Sequence, residues 1–243
     1  MIWRDIKTRF AQSVLGIGWA VIQPLFSMIV FTVVFGKLAR ISSDGVPYAI
    51  FSYTALVPWT YFSNALSSST GSLITASGIM TKVYFPRLII PLSPVLSKLI
   101  DFVIAFLILI GLMFYFGFWI TSQIIYLPLF IILMIITASG MGMWLTALAI
   151  QYRDINYGLG FFIQLLMYLA PVVYPLSNVP ESFRLIYSLF PMVGVIEGLR
   201  SILLQTNPIP WDVIFSGSII AIITFISGAF YFRRMEKFYA DVA

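Results

Sequence analysis

Along this chain, long apolar stretches alternate with short polar ones. Six of the apolar stretches are long enough to be read as membrane-crossing helices: residues 14–36, 47–66, 99–119, 124–150, 159–176 and 213–232. Three segments break the alternation. Residues 1–13 combine Arg4, Lys7 and Arg9 with Trp3, Ile6 and Phe10. Positions 3, 6 and 10 share one helical face, the pattern of an amphipathic helix lying in the membrane interface. The apolar run that follows is too long for a signal peptide, and no small-residue cleavage site comes after it. Residues 67–98 open with SSSTGS and then carry Pro86, Pro91 and Pro94, so they cannot form one uninterrupted spanning helix. Within them a short segment presents Met80, Val83, Tyr84 and Phe85, which suits docking into a partner's groove and equally suits a plain interfacial loop.

The third break, residues 171–204, has the most to explain. Pro171, Pro175, Pro180 and Pro191 interrupt it, and it carries Glu181, Arg184, Glu197 and Arg200. Its longest charge-free run, Leu185 to Ile196, has 12 residues. At 1.5 Å per residue that reaches about 18 Å, against roughly 30 Å of hydrocarbon. Such a piece is predicted to enter the membrane and turn back. Broken backbone at membrane depth is tolerated only where protein buries it or where it lines a wet cavity, so the rest of the chain is expected to enclose a path. Glu197 and Arg200, three apart, share a helix face. They can pair at the outer gate, which relieves the cost of a lone charge near lipid, or both can reach water.

Composition agrees with residence in lipid. Of 243 residues, 60% are apolar and 9% charged, with mean hydropathy +1.00. A soluble domain is about a quarter charged. With no cysteine and no histidine, disulfides, thiol chemistry, Cys/His metal sites and histidine acid–base catalysis are excluded. No GxxxxGK[ST] stretch occurs, so nucleotide is not bound through a P-loop of this chain. The net charge of +5 reads as loop charge that sets orientation, not as a nucleic-acid footprint.

Six crossings put both termini on one side. Arg4, Lys7, Arg9, Lys82, Arg87, Lys98, Arg153, Arg233, Arg234 and Lys237 fall there, against Lys37, Arg40, Arg184 and Arg200 on the other. The positive-inside rule makes the terminal side cytoplasmic. Pro58 is expected to kink the second span, and Ala138, Gly142 and Thr146 in the fourth have the spacing that lets helices approach closely.

The motifs WRDIKTRFAQSVLGIGWAVIQPL (Trp3 to Leu25), KVYFPRLIIPLSPVLSKLIDF (Lys82 to Phe102), QYRDI (Gln151 to Ile155) and PVVYPLSNVPESFRLIYSLFPMVGVIEGLRSILL (Pro171 to Leu204) run through nearly the whole chain in order. Together they resemble the membrane permease subunit of polysaccharide-exporting ATP-binding-cassette transporters, which move O-antigen, capsule or teichoic-acid polymers out of bacteria. The resemblance implies an all-α integral membrane protein of the bacterial cytoplasmic (inner) membrane. Its six helices would be joined by an N-terminal interfacial helix, a cytoplasmic coupling helix at 79–87 and an extracytoplasmic re-entrant hairpin at 181–204. It implies a homodimer working with two copies of a P-loop ATPase subunit, which alone bind ATP and Mg; this chain would hold no cofactor and no metal. Met80, Lys82, Val83, Tyr84, Phe85 and Arg87 would couple to the ATPase, and Arg4, Lys7 and Arg9 would meet the anionic head of a lipid-linked polysaccharide. The family's chains usually carry further residues ahead of the WRDIK motif. This one starts almost on it, which implies a truncated N-terminus or a downstream start.

Sugars bind through aromatic faces and hydrogen bonds. Trp59, Tyr61, Phe62, Tyr168 and Tyr174 are therefore the candidate channel wall, although packing is the commoner role for each. A secondary transporter or channel without an ATPase would want intramembrane carboxylates and internal repeats; only Asp101 lies near a span interior, and no repeat is seen. A membrane-embedded transferase or protease lacks its histidine, carboxylate pair and GxSxG elbow.

Overall fold

The computed structural model describes residues 18–73, 75, 86–152 and 154–242, and the described residues form helices joined by loops, with no strand among them. The segment 1–13, with Arg4, Lys7 and Arg9, lies outside the described residues, as do Met80, Lys82, Val83, Tyr84 and Phe85.

Helix α1 (Gly18–Phe31) passes through Pro24 and widens into a π-helical turn over Thr32–Leu38. Helix α2 (Tyr48–Thr70) runs unbroken through Pro58 and is buried along most of its length. Helix α3 (Ile89–Ser97) joins α4 (Leu99–Tyr115) through a turn at Lys98, so the third apolar span begins ten residues before the expected Leu99. Pro91 sits in the first turn of α3, where no backbone donor is needed, so it permits the early start. The same span stops at Tyr115 instead of Trp119. Gly117 takes φ +82°, and the Phe118 N–H donates to the Met113 carbonyl at 2.9 Å, a left-handed glycine cap.

Helix α5 (Leu127–Gln151) is followed almost at once by α6 (Asp154–Leu169), which starts before the expected residue 159 and ends ahead of Pro171. Two shorter helices, α7 (Glu181–Ser188) and α8 (Pro191–Leu204), meet at a bend of 111°. Helix α9 (Trp211–Val242) closes the chain. By length and apolar character, Val21–Leu38, Ile89–Tyr115, Ser122–Gln151 and Trp211–Glu236 can each cross a bilayer, and the bent pair could form one more.

Small residues set the closest contacts. A Cβ on Gly140 of α5 would lie 2.7 Å from the backbone N of Phe225 in α9, and one on Gly228 would lie 2.7 Å from the Gly140 carbonyl oxygen. The backbones of α5 and α9 therefore touch. Further along α5, Thr146 Oγ1 donates to the Ser69 carbonyl of α2 at 2.9 Å, and a Cβ on Gly142 would meet the Ser69 Cβ at 3.0 Å. Of the predicted Ala138, Gly142 and Thr146 stripe, Gly142 and Thr146 make the close approach, and they make it to α2. Gly140→Ala should lower stability by about 1–3 kcal/mol, because backbone cannot move aside as a side chain can. Gly111→Ala, which meets nothing within 4 Å, should leave the thermal midpoint of the purified protein unchanged or higher.

Loop contacts sort the connections into two ends. At one, Asp44 accepts from Ser177 Oγ at 2.8 Å and from Asn207 Nδ2 at 2.7 Å. Gln205 reaches Thr121 there as well. At the other, Arg87 Nη1 donates to the Glu236 carbonyl at 2.7 Å.

Candidate functional site

Helix α8 is 14 residues long, and every one of them is buried. At about 21 Å it is too short to cross a bilayer unaided, yet it occupies the middle of the bundle. Gly194 lets it approach Ile214 of α9, where a Cβ would come within 3.2 Å of that Cα, and Gly198 lies under the Phe130 ring of α5. Arg200 points at α2, its guanidinium 3.6 Å from the centroid of the Phe51 ring.

Arg200 and Glu197 are 1% and 6% exposed, so neither reaches water. Arg200 Nη1 donates to Glu197 Oε1 at 2.7 Å, and the Leu176 backbone is a second partner of that carboxylate. Arg200 Nε donates to the Phe51 carbonyl of α2 at 3.4 Å, and the other guanidinium donors go to the stretch that Pro171 and Pro175 keep from being helical. Nη1 donates to the Pro171 carbonyl at 2.6 Å and to Tyr174 at 3.3 Å, and Nη2 donates to Val172 at 2.9 Å. The Tyr48 hydroxyl takes the Val173 carbonyl at 2.6 Å. Four consecutive carbonyls that a helix would have satisfied internally are satisfied by two side chains instead. This is the condition under which irregular backbone survives at membrane depth. The fork of five N–H donors on one guanidinium explains the choice of arginine.

The other sequence-derived candidates are dispersed. Trp59, Tyr61 and Phe62 are packed in the core, with Phe62 edge-on to Phe190 at 5.9 Å and the Tyr61 hydroxyl donating to the Val95 carbonyl at 3.1 Å. All three are buried among the core side chains. Tyr61 also borders a cavity of about 40 Å³ shared with Gln23, Asn64 and the Lys98–Asp101 ion pair (3.8 Å). Tyr168 is half exposed on α6. Tyr174 donates to the Tyr168 carbonyl at 2.8 Å and pairs with the Tyr187 hydroxyl at 2.6 Å. Tyr174, Tyr187, Phe183, Asn178 and Arg40 line a cavity of about 700 Å³ at the Asp44 end. Arg87, the one coupling candidate among the described residues, lies at the opposite end.

Tyr48, Phe51 and Asp44 were not singled out by sequence. Their partners are 125, 149, 133 and 163 positions away, and no local pattern signals that.

Among the described residues no group of three or more Asp/Glu side chains could hold a metal ion. A multi-pass, all-helical membrane protein organised around a buried half-length helix is the class this arrangement defines. The chain belongs to the ABC-2 type transporter family, which matches residues 1–204. Members of that family are permease subunits and normally work with an ATP-binding partner. Among its relatives is the O-antigen export system permease protein RfbA of Klebsiella pneumoniae, 26% identical over 240 residues, covering 98% of this chain and 92% of the relative. The protein of the same name from Myxococcus xanthus is 27% identical over 204 residues (83% and 78%). The polysialic acid transport protein KpsM of Escherichia coli is 20% identical over 195 residues (80% and 76%).

Proposed function

We propose that this chain is the channel-forming subunit of an exporter that moves a lipid-linked polysaccharide across the bacterial cytoplasmic membrane. It works as a homodimer, and two copies of a separate P-loop subunit hydrolyse ATP with Mg. The chain crosses the membrane six times with both termini cytoplasmic, and α7–α8 is a re-entrant hairpin entering from the outer face. The observation that carries this reading is the wholly buried, half-length α8 with its arginine bracing a non-helical stretch. The export systems named for the relatives supply the substrate class.

The physical logic is that a sugar polymer is long and polar and needs a continuous wet tunnel rather than a closing pocket. Tyr157, Phe161, Leu165 and Tyr168 line up as an exposed stripe on α6. A second copy facing that stripe encloses the path between two subunits, with Tyr168 and Tyr174 on its wall and the Glu197–Arg200 pair holding the outer hairpin in shape. ATP binding closes the partner subunits, the 79–87 segment (Met80 to Arg87) passes the motion to the bundle, the hairpin shifts and the polymer advances. Arg4, Lys7 and Arg9 meet the carrier's anionic head on the cytoplasmic side.

Because the chain has no cysteine, single cysteines report topology without background. Ser182→Cys in α7 should react with a membrane-impermeant maleimide on intact cells, and Tyr152→Cys only after permeabilisation. The reverse pattern would turn the molecule over and end the outer-hairpin reading. Co-purification of a P-loop ATPase with the tagged chain separates this transporter from one that runs without ATP.

A further inference from the structure

On α9, Ile223, Ile226, Phe230 and Arg234 fall on one stripe, since offsets of three, seven and eleven residues return to the same helical face. All four are exposed. Facing them from α5, the Trp144 ring stacks on Tyr231 with centroids 4.4 Å apart and planes at 18°. The Trp144 indole N–H donates to Ser227 Oγ at 3.0 Å, so this ring is tied to α9 and forms a fixed wall. Together these side chains line a groove of about 550 Å³ between α5 and α9.

Its length and charge are informative. From Ile223 to Arg234 the helix rises about 16 Å, close to half of the hydrocarbon thickness and so to the depth of one leaflet. The groove is apolar over that depth and cationic at its end. Arg233 beside Arg234 is also exposed, and Arg87 is bonded to the Glu236 backbone at the same end. Three guanidinium groups, those of Arg87, Arg233 and Arg234, therefore gather at this end of α9. The backbone contact at Gly140 and Gly228 holds the two helices that form the walls.

We propose that this groove binds one anionic phospholipid of the bilayer, its phosphate at Arg234 and an acyl chain along Phe230, Ile226 and Ile223. Charge complementarity favours a lipid over a second copy of the chain. A like copy would bring further arginines to the same end, whereas a phosphate neutralises it. The inference needs only that the chain spans a bilayer and is independent of what it transports.

The test is tryptophan quenching in nanodiscs containing the full-length chain, with brominated phosphatidylglycerol or brominated phosphatidylcholine as the probe lipid. Subtracting the signal of Trp144→Phe isolates Trp144 from the other five tryptophans. Its quenching should favour the anionic lipid by about fivefold in apparent affinity. The preference should disappear in Arg234→Gln and persist in Arg234→Lys. Equal quenching by the two lipids in the unmodified chain overturns the proposal, as does a preference that survives Arg233→Gln combined with Arg234→Gln. A disulfide forming between two copies that carry Ile223→Cys would place a second copy in the groove and overturn it equally.

Discussion

Arg200→Ala is expected to remove most of the folded protein, at a cost of about 3–5 kcal/mol, the usual penalty for breaking one side of a buried ion pair. The substitution does three things at once. It leaves the Glu197 carboxylate buried without its guanidinium partner. It orphans the carbonyls of Pro171 and Val172, which lie where water does not replace the lost donor. It also takes the cation from the face of Phe51. Arg200→Lys should be intermediate, because an ammonium on a flexible stem cannot serve the carboxylate and four carbonyls in fixed directions. Glu197→Gln should be milder than Arg200→Ala, since the guanidinium keeps its carbonyls and its ring. The order can be read from thermal midpoints of detergent-purified variants followed by size-exclusion chromatography. An Arg200→Ala protein as stable as its parent would mean that the non-helical stretch is held by something other than this side chain.

The second large effect is expected in transport, not in folding. Tyr84→Asp or Phe85→Asp places a charge on the segment proposed to sit in the ATPase groove, where an apolar anchor is needed. Polymer should stop reaching the cell surface while the partner subunits continue to hydrolyse ATP and the permease still accumulates in the membrane. Surface polysaccharide staining and ATPase activity of the purified complex give the two readouts. Normal export by both variants would rule out coupling through these residues. Loss of ATPase together with export would indicate that the two subunits no longer assemble.

Several features of the fold could be read directly from residues. The apolar run lengths mark out helical spans, and four of those runs recur as helices able to cross a bilayer. Four prolines and a 12-residue charge-free limit mark the stretch before α9 as too broken for one straight spanning helix, and it folds as two helices bent by 111°. The spacing of Ala138, Gly142 and Thr146 marks a close helix contact, which Gly142 and Thr146 make with α2. Element ends were less legible. Proline in the first turn of α3 looks like a breaker in sequence but costs no hydrogen bond there, and the glycine that ends α4 stands in a run otherwise apolar enough to continue.

The candidate site was legible only in part. That Glu197 and Arg200 share a helix face follows from their spacing of three, but spacing is silent on whether the pair faces water or protein. Trp59, Tyr61 and Phe62 carry the ring chemistry of a sugar path, and the fold buries all three; aromatic side chains in a helix serve either purpose, so ring chemistry in sequence does not tell burial from exposure.

By itself, then, the sequence determined that this protein lives in lipid, that it uses no cysteine or histidine chemistry, and that its backbone must break near the last third. Those conclusions depend on composition and on distances along the chain, which any fold of it must respect. Tertiary structure decided how the break is made tolerable. The donors for carbonyls 171–174 come from Tyr48 and Arg200, on two other helices, and which groups meet across such separations is set by helix packing in three dimensions.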